Sequence, residues 1–174
     1  QGTWVYEMQE LGYNYRITDI QCALGRSQLK KLPAFIDRRL EIVVSYNRAF
    51  ADIPWLTTPK LASWLLSEQS VDGSSEGHEH HISWHLYTVL IDFEAVGKSR
   101  CEVMAELRDN GVGSQVLYIP IHLQPYYRST YGYDHGKCPV AERQYAQSIS
   151  LPLFPALTSS DITAVVSAVK NLAE

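Results

Sequence analysis

An α/β fold, a small sheet carrying helices, is predicted by three features of this 174-residue chain. Residues 84–91 (Trp-His-Leu-Tyr-Thr-Val-Leu-Ile) are apolar at nearly every position, as expected of a central strand covered on both faces. A helix at 99–110 and a second short strand at 114–119 follow, giving a strand–helix–strand unit. Amphipathic helices lie on either side, in the first third of the chain and at its end.

The elements follow in order. Thr18 and Gln21 have capping-box spacing, with Ile17 and Cys22 as a hydrophobic staple, so a helix starts after Thr18. It places Ile20, Ala23, Leu24 and Ser27 on one face, and Gly25 leaves room for close packing. Pro33 suits the first turn of a second helix, where its missing N–H costs nothing. Ile36, Leu40, Val43, Val44, Asn47 and Phe50 recur there at helical spacing, away from Arg38, Arg39, Glu41 and Arg48. Pro54 and Pro59 end it and begin an extended connector. Residues 67–81 are Ser, Gly, Asp, Glu and His with almost no apolar side chain, which reads as a mobile loop.

The helix at 99–110 buries Val103, Met104 and Leu107 and ends at Gly111 and Gly113. Pro139 starts another helix through Tyr145, and 151–155 is a short extended run limited by its prolines. Thr158 with Asp161 caps a last helix burying Ile162, Val165, Val166, Val169 and Leu172. The expected domains are a helical segment at 1–60 and an α/β domain at 61–174.

Composition excludes several classes. With 45% hydrophobic and 20% charged residues this is a globular sequence. A net charge of −4 and a pI near 5.9 argue against a nucleic-acid binder. No apolar run is long enough to span a membrane. Cys22, Cys101 and Cys138 are widely spaced, which reads as reduced thiols in a cytoplasmic protein. The chain opens at Gln1 without an initiator Met, and is expected to be a piece of a longer polypeptide.

Three constellations could carry chemistry. The loop at 12–18 exposes an amide, a guanidinium and phenols where a helix begins, a setting that favours an anion. An ordinary solvated helix start explains the same residues. His78, His80, His81 and His85 are potential metal ligands, but three lie in the Ser/Gly loop, so no designed metal site is expected. His85 instead falls on the predicted central strand. Tyr118 and His122 bracket Ile119-Pro120-Ile121, and Pro120 and Pro125 stiffen that loop. Its aromatic surface would suit a sugar or nucleotide ring, or simply a small apolar cluster. There is no GxSxG, P-loop, GxGxxG or HExxH, and none of the six lysines looks placed for a desolvated Schiff base.

The stretch Gly12-Tyr13-Asn14-Tyr15-Arg16-Ile17-Thr18-Asp19-Ile20-Gln21-Cys22-Ala23-Leu24-Gly25 resembles the DegT/DnrJ/EryC1/StrS family of pyridoxal-phosphate-dependent nucleotide-sugar aminotransferases. The resemblance continues in Ser83-Trp84-His85-Leu86-Tyr87, Tyr118-Ile119-Pro120-Ile121-His122, Pro125-Tyr126-Tyr127 and Leu151-Pro152-Leu153-Phe154-Pro155. Met8-Gln9-Glu10-Leu11 and Leu29-Lys30-Lys31-Leu32 resemble the subgroup that aminates UDP-4-keto-6-deoxy-hexosamines, the pseudaminic acid transaminases among them.

The resemblance covers only the rear half of the family pattern. It implies the small C-terminal domain of a fold-type-I enzyme, with a short mixed or antiparallel sheet, preceded by two interdomain helices. The Schiff-base lysine belongs to the front half, so this chain alone should not transaminate or bind pyridoxal phosphate. By resemblance, Asn14 reaches the cofactor phosphate of a partner subunit in a homodimer, and Arg16 meets the diphosphate of a UDP-sugar. Tyr118, His122 and His85 approach the sugar and nucleotide. The complete enzyme would work by ping-pong exchange, with glutamate as amino donor and the C4 ketone of the sugar as acceptor.

A different class is open beside this one: a non-catalytic α/β ligand-binding or regulatory module derived from the family. In either case Ile36, Leu40, Val43 and Val44 are expected to need cover from another surface, and so to drive self-association.

Overall fold

The computed structural model describes residues 13, 15–60 and 82–173. Contacts divide the chain into two units, Gln1–Pro33 and Ala34–Glu174. In the first, helix α1 (Asp19–Leu29) starts at the expected capping box. Gln21 N–H donates to Thr18 Oγ1 at 3.3 Å, and Thr18 N–H donates to Gln21 Oε1 at 2.9 Å. The expected staple is not formed, because Ile17 and Cys22 are both exposed. No residue of α1 is buried, and a Cβ at Gly25 would meet nothing within 4 Å.

Helix α2 (Leu32–Phe50) has Pro33 in its first turn and supplies much of the second unit's core. Its buried residues are Leu40, Ile42, Val43, Tyr46 and Phe50. This corrects the expected stripe: Val44 faces outward and Ile36 is only half-buried, while Ile42 and Tyr46 point inward. Tyr46 escapes an apolar count because of its hydroxyl, yet that hydroxyl is satisfied, donating to Pro152 O at 3.1 Å. Leu40 and Val43 therefore have cover within the chain.

The sheet is three-stranded and wholly antiparallel, in the order β1 (Leu56–Thr57), β2 (Tyr87–Ile91), β3 (Ser148–Leu151). Leu56 pairs with Ile91, and Val89 with Ile149. The central place of β2 agrees with its apolar sequence, and Tyr87, Val89 and Ile91 are buried. The strand is shorter than expected, so His85 lies two residues ahead of it and is exposed, not on the central strand.

The expected second strand at 114–119 is also corrected. Only Gln115 bridges, its N–H and C=O bonding Ser150. The third strand is instead Ser-Ile-Ser-Leu at 148–151, buried at all four positions. Serine side chains are small enough to pack between apolar neighbours once bonded, and Ser150 Oγ lies 2.8 Å from Thr88 Oγ1 across the sheet.

Helices α3 (Phe93–Val96) and α4 (Arg100–Asp109) follow β2. Ser99 and Glu102 form a capping box on α4, and Gly111, at φ +77°, turns the chain out of it in a conformation a side chain would strain. Helices α5 (Pro125–Tyr131), α6 (Pro139–Gln147) and α7 (Ser159–Lys170) complete the chain, α7 beginning at the expected Thr158–Asp161 box. One buried cluster unites α2, α4 and α7 with the sheet: Tyr46, Phe50, Tyr87, Val89, Val103, Leu107, Ile149, Val169 and Leu172 lie at its centre. Arg38 of α2 closes the unit, donating to Leu157 O at 2.6 Å and pairing with Glu41 at 2.7 Å.

Candidate functional site

The loop after Gln115 is extended, then makes one 3-10 turn, Ile121–Leu123, and enters α5 at Pro125. Prolines 120 and 125 bound that turn, and Leu123 N–H donates to Pro120 O at 2.8 Å. Tyr118, Ile119 and Ile121 point to solvent, with Tyr118 76% exposed. His122 points the other way and is 7% exposed.

The partner of His122 is Glu142, in the first turn of α6, with Nε2 and Oε1 2.8 Å apart. The same carboxylate accepts Gly136 N–H on both oxygens, at 3.0 and 2.9 Å, and Cys138 N–H at 3.1 Å. His135 Nδ1 lies 3.6 Å away on the exposed side. These donors hold the Glu142 carboxyl down at about 2, the Gly136 N–H contributing most, then His122 and Cys138, against the opposing effect of partial burial. Gly136 sits at φ +87°, which aims its N–H at Glu142 and disfavours any side chain there.

Sequence reasoning missed Glu142. Glu142 lies four residues after the N-cap Cys138, one beyond the capping-box position, yet still accepts the cap N–H. Cys138 stands where Ser or Thr would have advertised it.

Aromatic residues continue the surface. Tyr126 meets Tyr127 edge-on at 5.3 Å, Tyr127 stacks on Tyr131 at 5.9 Å, and Tyr131 stacks on Tyr133 at 5.5 Å. Lys137 Nζ sits 4.3 Å over the Tyr133 ring, and Arg128 pairs with Asp134 at 3.0 Å. A cleft of about 560 Å³ is bounded by Leu86, Leu117, Ser150, Phe154 and Asp161 among others.

The expected site residues are placed as follows. His85 and Tyr118, both exposed, are chain neighbours of Leu86 and Leu117, two walls of that cleft. His122 is turned inward on Glu142. Arg16 is exposed in the first unit. Asn14 lies outside the described residues, as do His78, His80, His81 and the whole expected loop at 67–81. Among the described residues no three His, Cys, Asp or Glu side chains gather as a metal site, and no helix is long and apolar enough to cross a membrane. All three cysteines are free and exposed. Lys30, Lys31, Lys60, Lys137 and Lys170 are exposed, and half-buried Lys98 is paired with Glu106 at 2.8 Å.

The model of the DegT/DnrJ/EryC1/StrS aminotransferase family matches residues 1–170. The chain belongs to that family. It is 39% identical over 172 residues to the uncharacterized protein MJ1066 of Methanocaldococcus jannaschii, covering 99% of this chain and 41% of that one. It is 36% identical to the spore coat polysaccharide biosynthesis protein SpsC of Bacillus subtilis, over 98% of this chain and 40% of SpsC. Among solved structures it resembles Helicobacter pylori PseC, an aminotransferase involved in the biosynthesis of pseudoaminic acid. That match has a TM-score of 0.74 and 27% identity, covering 99% of this chain and 42% of PseC. The chain thus spans about two fifths of the length of the DegT/DnrJ/EryC1/StrS relatives it matches. The expected α/β class, a short antiparallel sheet with helices packed on it, is the observed one.

Proposed function

We propose that this chain is the C-terminal part of a pyridoxal-phosphate-dependent aminotransferase that aminates the C4 ketone of a UDP-4-keto-6-deoxy-hexosamine. One observation carries this reading: the aminotransferase family model matches residues 1–170. The involvement of SpsC in spore coat polysaccharide biosynthesis and of PseC in pseudoaminic acid biosynthesis supports the substrate class, pseudaminic acid precursors among them. Glutamate is the proposed donor, a homodimer the proposed assembly, and the cytoplasm the proposed location.

The family's cofactor is pyridoxal phosphate. Bound, it supplies the electron sink for amino transfer. The described residues do not fit its reacting end, because no lysine here is desolvated and free of an ion pair. No step of the chemistry is therefore assigned to this chain, and alone it is proposed to be inactive.

What its residues do is bind and position. Asn14 is proposed to donate to the cofactor phosphate of the partner subunit, and the Arg16 guanidinium to pair with the UDP diphosphate. Tyr118, next in the chain to the cleft wall Leu117, and His85, next to Leu86, are proposed to approach the sugar and nucleotide. His122 holds the loop that carries Tyr118.

The test is amination of a UDP-4-keto-6-deoxy-hexosamine by the complete encoded protein with glutamate, followed by mass spectrometry. A gain of the amino group by the complete protein, with none by this chain alone, is expected. A reading frame that starts at Gln1, or a borohydride-trapped pyridoxal adduct on one lysine of this chain, would overturn the reading. The first outcome would leave the non-catalytic module.

A further inference from the structure

We infer that Glu142 is the positioning residue of the loop that carries Tyr118, and that it acts through His122. The inference builds on the reading of that loop as a ligand wall, and its geometric core can be tested apart from that reading.

From Tyr118 to Ile121 the large apolar side chains face outward, so they cannot anchor the loop. His122 is the buried residue of the 3-10 turn, and its anchor is one directional bond to Glu142. Anchoring by an imidazole fixes orientation as well as depth, which an apolar plug would not do.

The acceptor is fixed before the loop arrives. Gly136 and Cys138 backbone N–H groups hold both Glu142 oxygens, and α6 holds its backbone. Because this carboxylate only accepts, the bond requires a hydrogen on His122 Nε2. Two loops, 118–124 and 132–138, therefore share one carboxylate and are held in a fixed relation. His135 Nδ1 lies 3.6 Å from the same carboxylate, while in the neighbouring chain Arg128 pairs with Asp134 and Lys137 lies over Tyr133.

Nitrogen-resolved NMR on the 174-residue chain, with uridine diphosphate as probe, tests this. The intact chain should show the Nε2–H tautomer of His122 and slow exchange at the amides of Leu123, Gly136 and Cys138. Glu142→Gln should erase the tautomer preference and speed exchange at all three amides by about tenfold or more, with helical circular dichroism unchanged. His122→Gln should loosen Leu123 alike while leaving Gly136 and Cys138 protected. Both variants should weaken uridine diphosphate binding by about tenfold, a loss of about 1.4 kcal/mol.

Unchanged Leu123 exchange in folded Glu142→Gln or His122→Gln, or an Nδ1–H tautomer in the intact chain, would overturn the assignment. If the intact chain does not bind uridine diphosphate, the ligand reading fails while the exchange and tautomer results still decide the role of Glu142.

Discussion

The rings of Tyr46 on α2 and Tyr87 on β2 lie 5.0 Å apart, inclined at 51°. Their hydroxyls leave in different directions, Tyr46 to the carbonyl of Pro152 and Tyr87 to Asn47 Oδ1 at 2.8 Å. Burial pushes the Tyr46 phenol up to about 12, with the nearby Asp161 charge adding to it, and burial pushes Tyr87 higher still. A phenol whose folded value is raised stabilises fully below its unfolded value, near 10, and loses that contribution as pH rises through the folded one. The chain should therefore hold its fold to about pH 10 and lose stability steeply above it. Urea midpoints measured from pH 8 to 12 check this, and a flat profile would contradict it.

The same contact sets the cost of truncation. Tyr87→Ala should destabilise by about 3–5 kcal/mol, and Ile149→Ala, opposite Val89, by about 2–5 kcal/mol. Tyr46→Phe removes only the bond to Pro152 and should cost about 1 kcal/mol. Chemical denaturation of the three variants would order them.

At the acid end the sign reverses. Glu142 ionises at about 2 when folded, against an ordinary value of 4.5. Its contribution is complete above the ordinary value and is lost as pH falls from there toward the folded one. Glu102 and Asp161, lowered chiefly by the hydroxyls of Ser99 and Thr158, add to the same limb. Glu142→Gln should flatten acid unfolding in part, not wholly, when melting is followed from pH 6 to 2.

Two helix starts bear separate loads. Ser99→Ala and Thr158→Ala should each cost about 1 kcal/mol, and their double variant should cost the sum. A double-variant denaturation series reads the additivity.

Self-association is expected from the sequence at α2, and the exposed apolar side chains suggest testing it at α1 instead. Leu40 and Val43 are covered, whereas Ile17, Ile20 and Leu24 stand exposed on and before α1. The chain should associate at high concentration, and Leu24→Lys should shift it toward monomer in sedimentation velocity. A monomer at all concentrations, or an unmoved equilibrium, would rule this out.

Much of the fold was legible because its signals are local. Capping boxes at Thr18 and Thr158, Pro33 in a first turn and the apolar run of β2 all follow from neighbouring residues. What escaped depends on partners distant in sequence. Tyr46 reads as amphipathic until Pro152 accepts a hydrogen bond from its hydroxyl, and Ser150 reads as loop-like until Thr88 bonds it. At the site, Tyr118 and the turn between the prolines were visible, but Glu142 was not. Its role is set by Gly136 and Cys138 backbone groups, which composition does not display.

The bond from Arg38 to Leu157 spans 119 residues of chain. During synthesis at about 5–20 residues per second, Arg38 is added to the chain roughly 6–24 s before that carbonyl exists. For that interval Tyr46 and Phe50 have neither β3 nor α7 to rest on. A nascent chain stalled before Ser148 should thus display this helix to chaperones, and release should be the moment it is withdrawn.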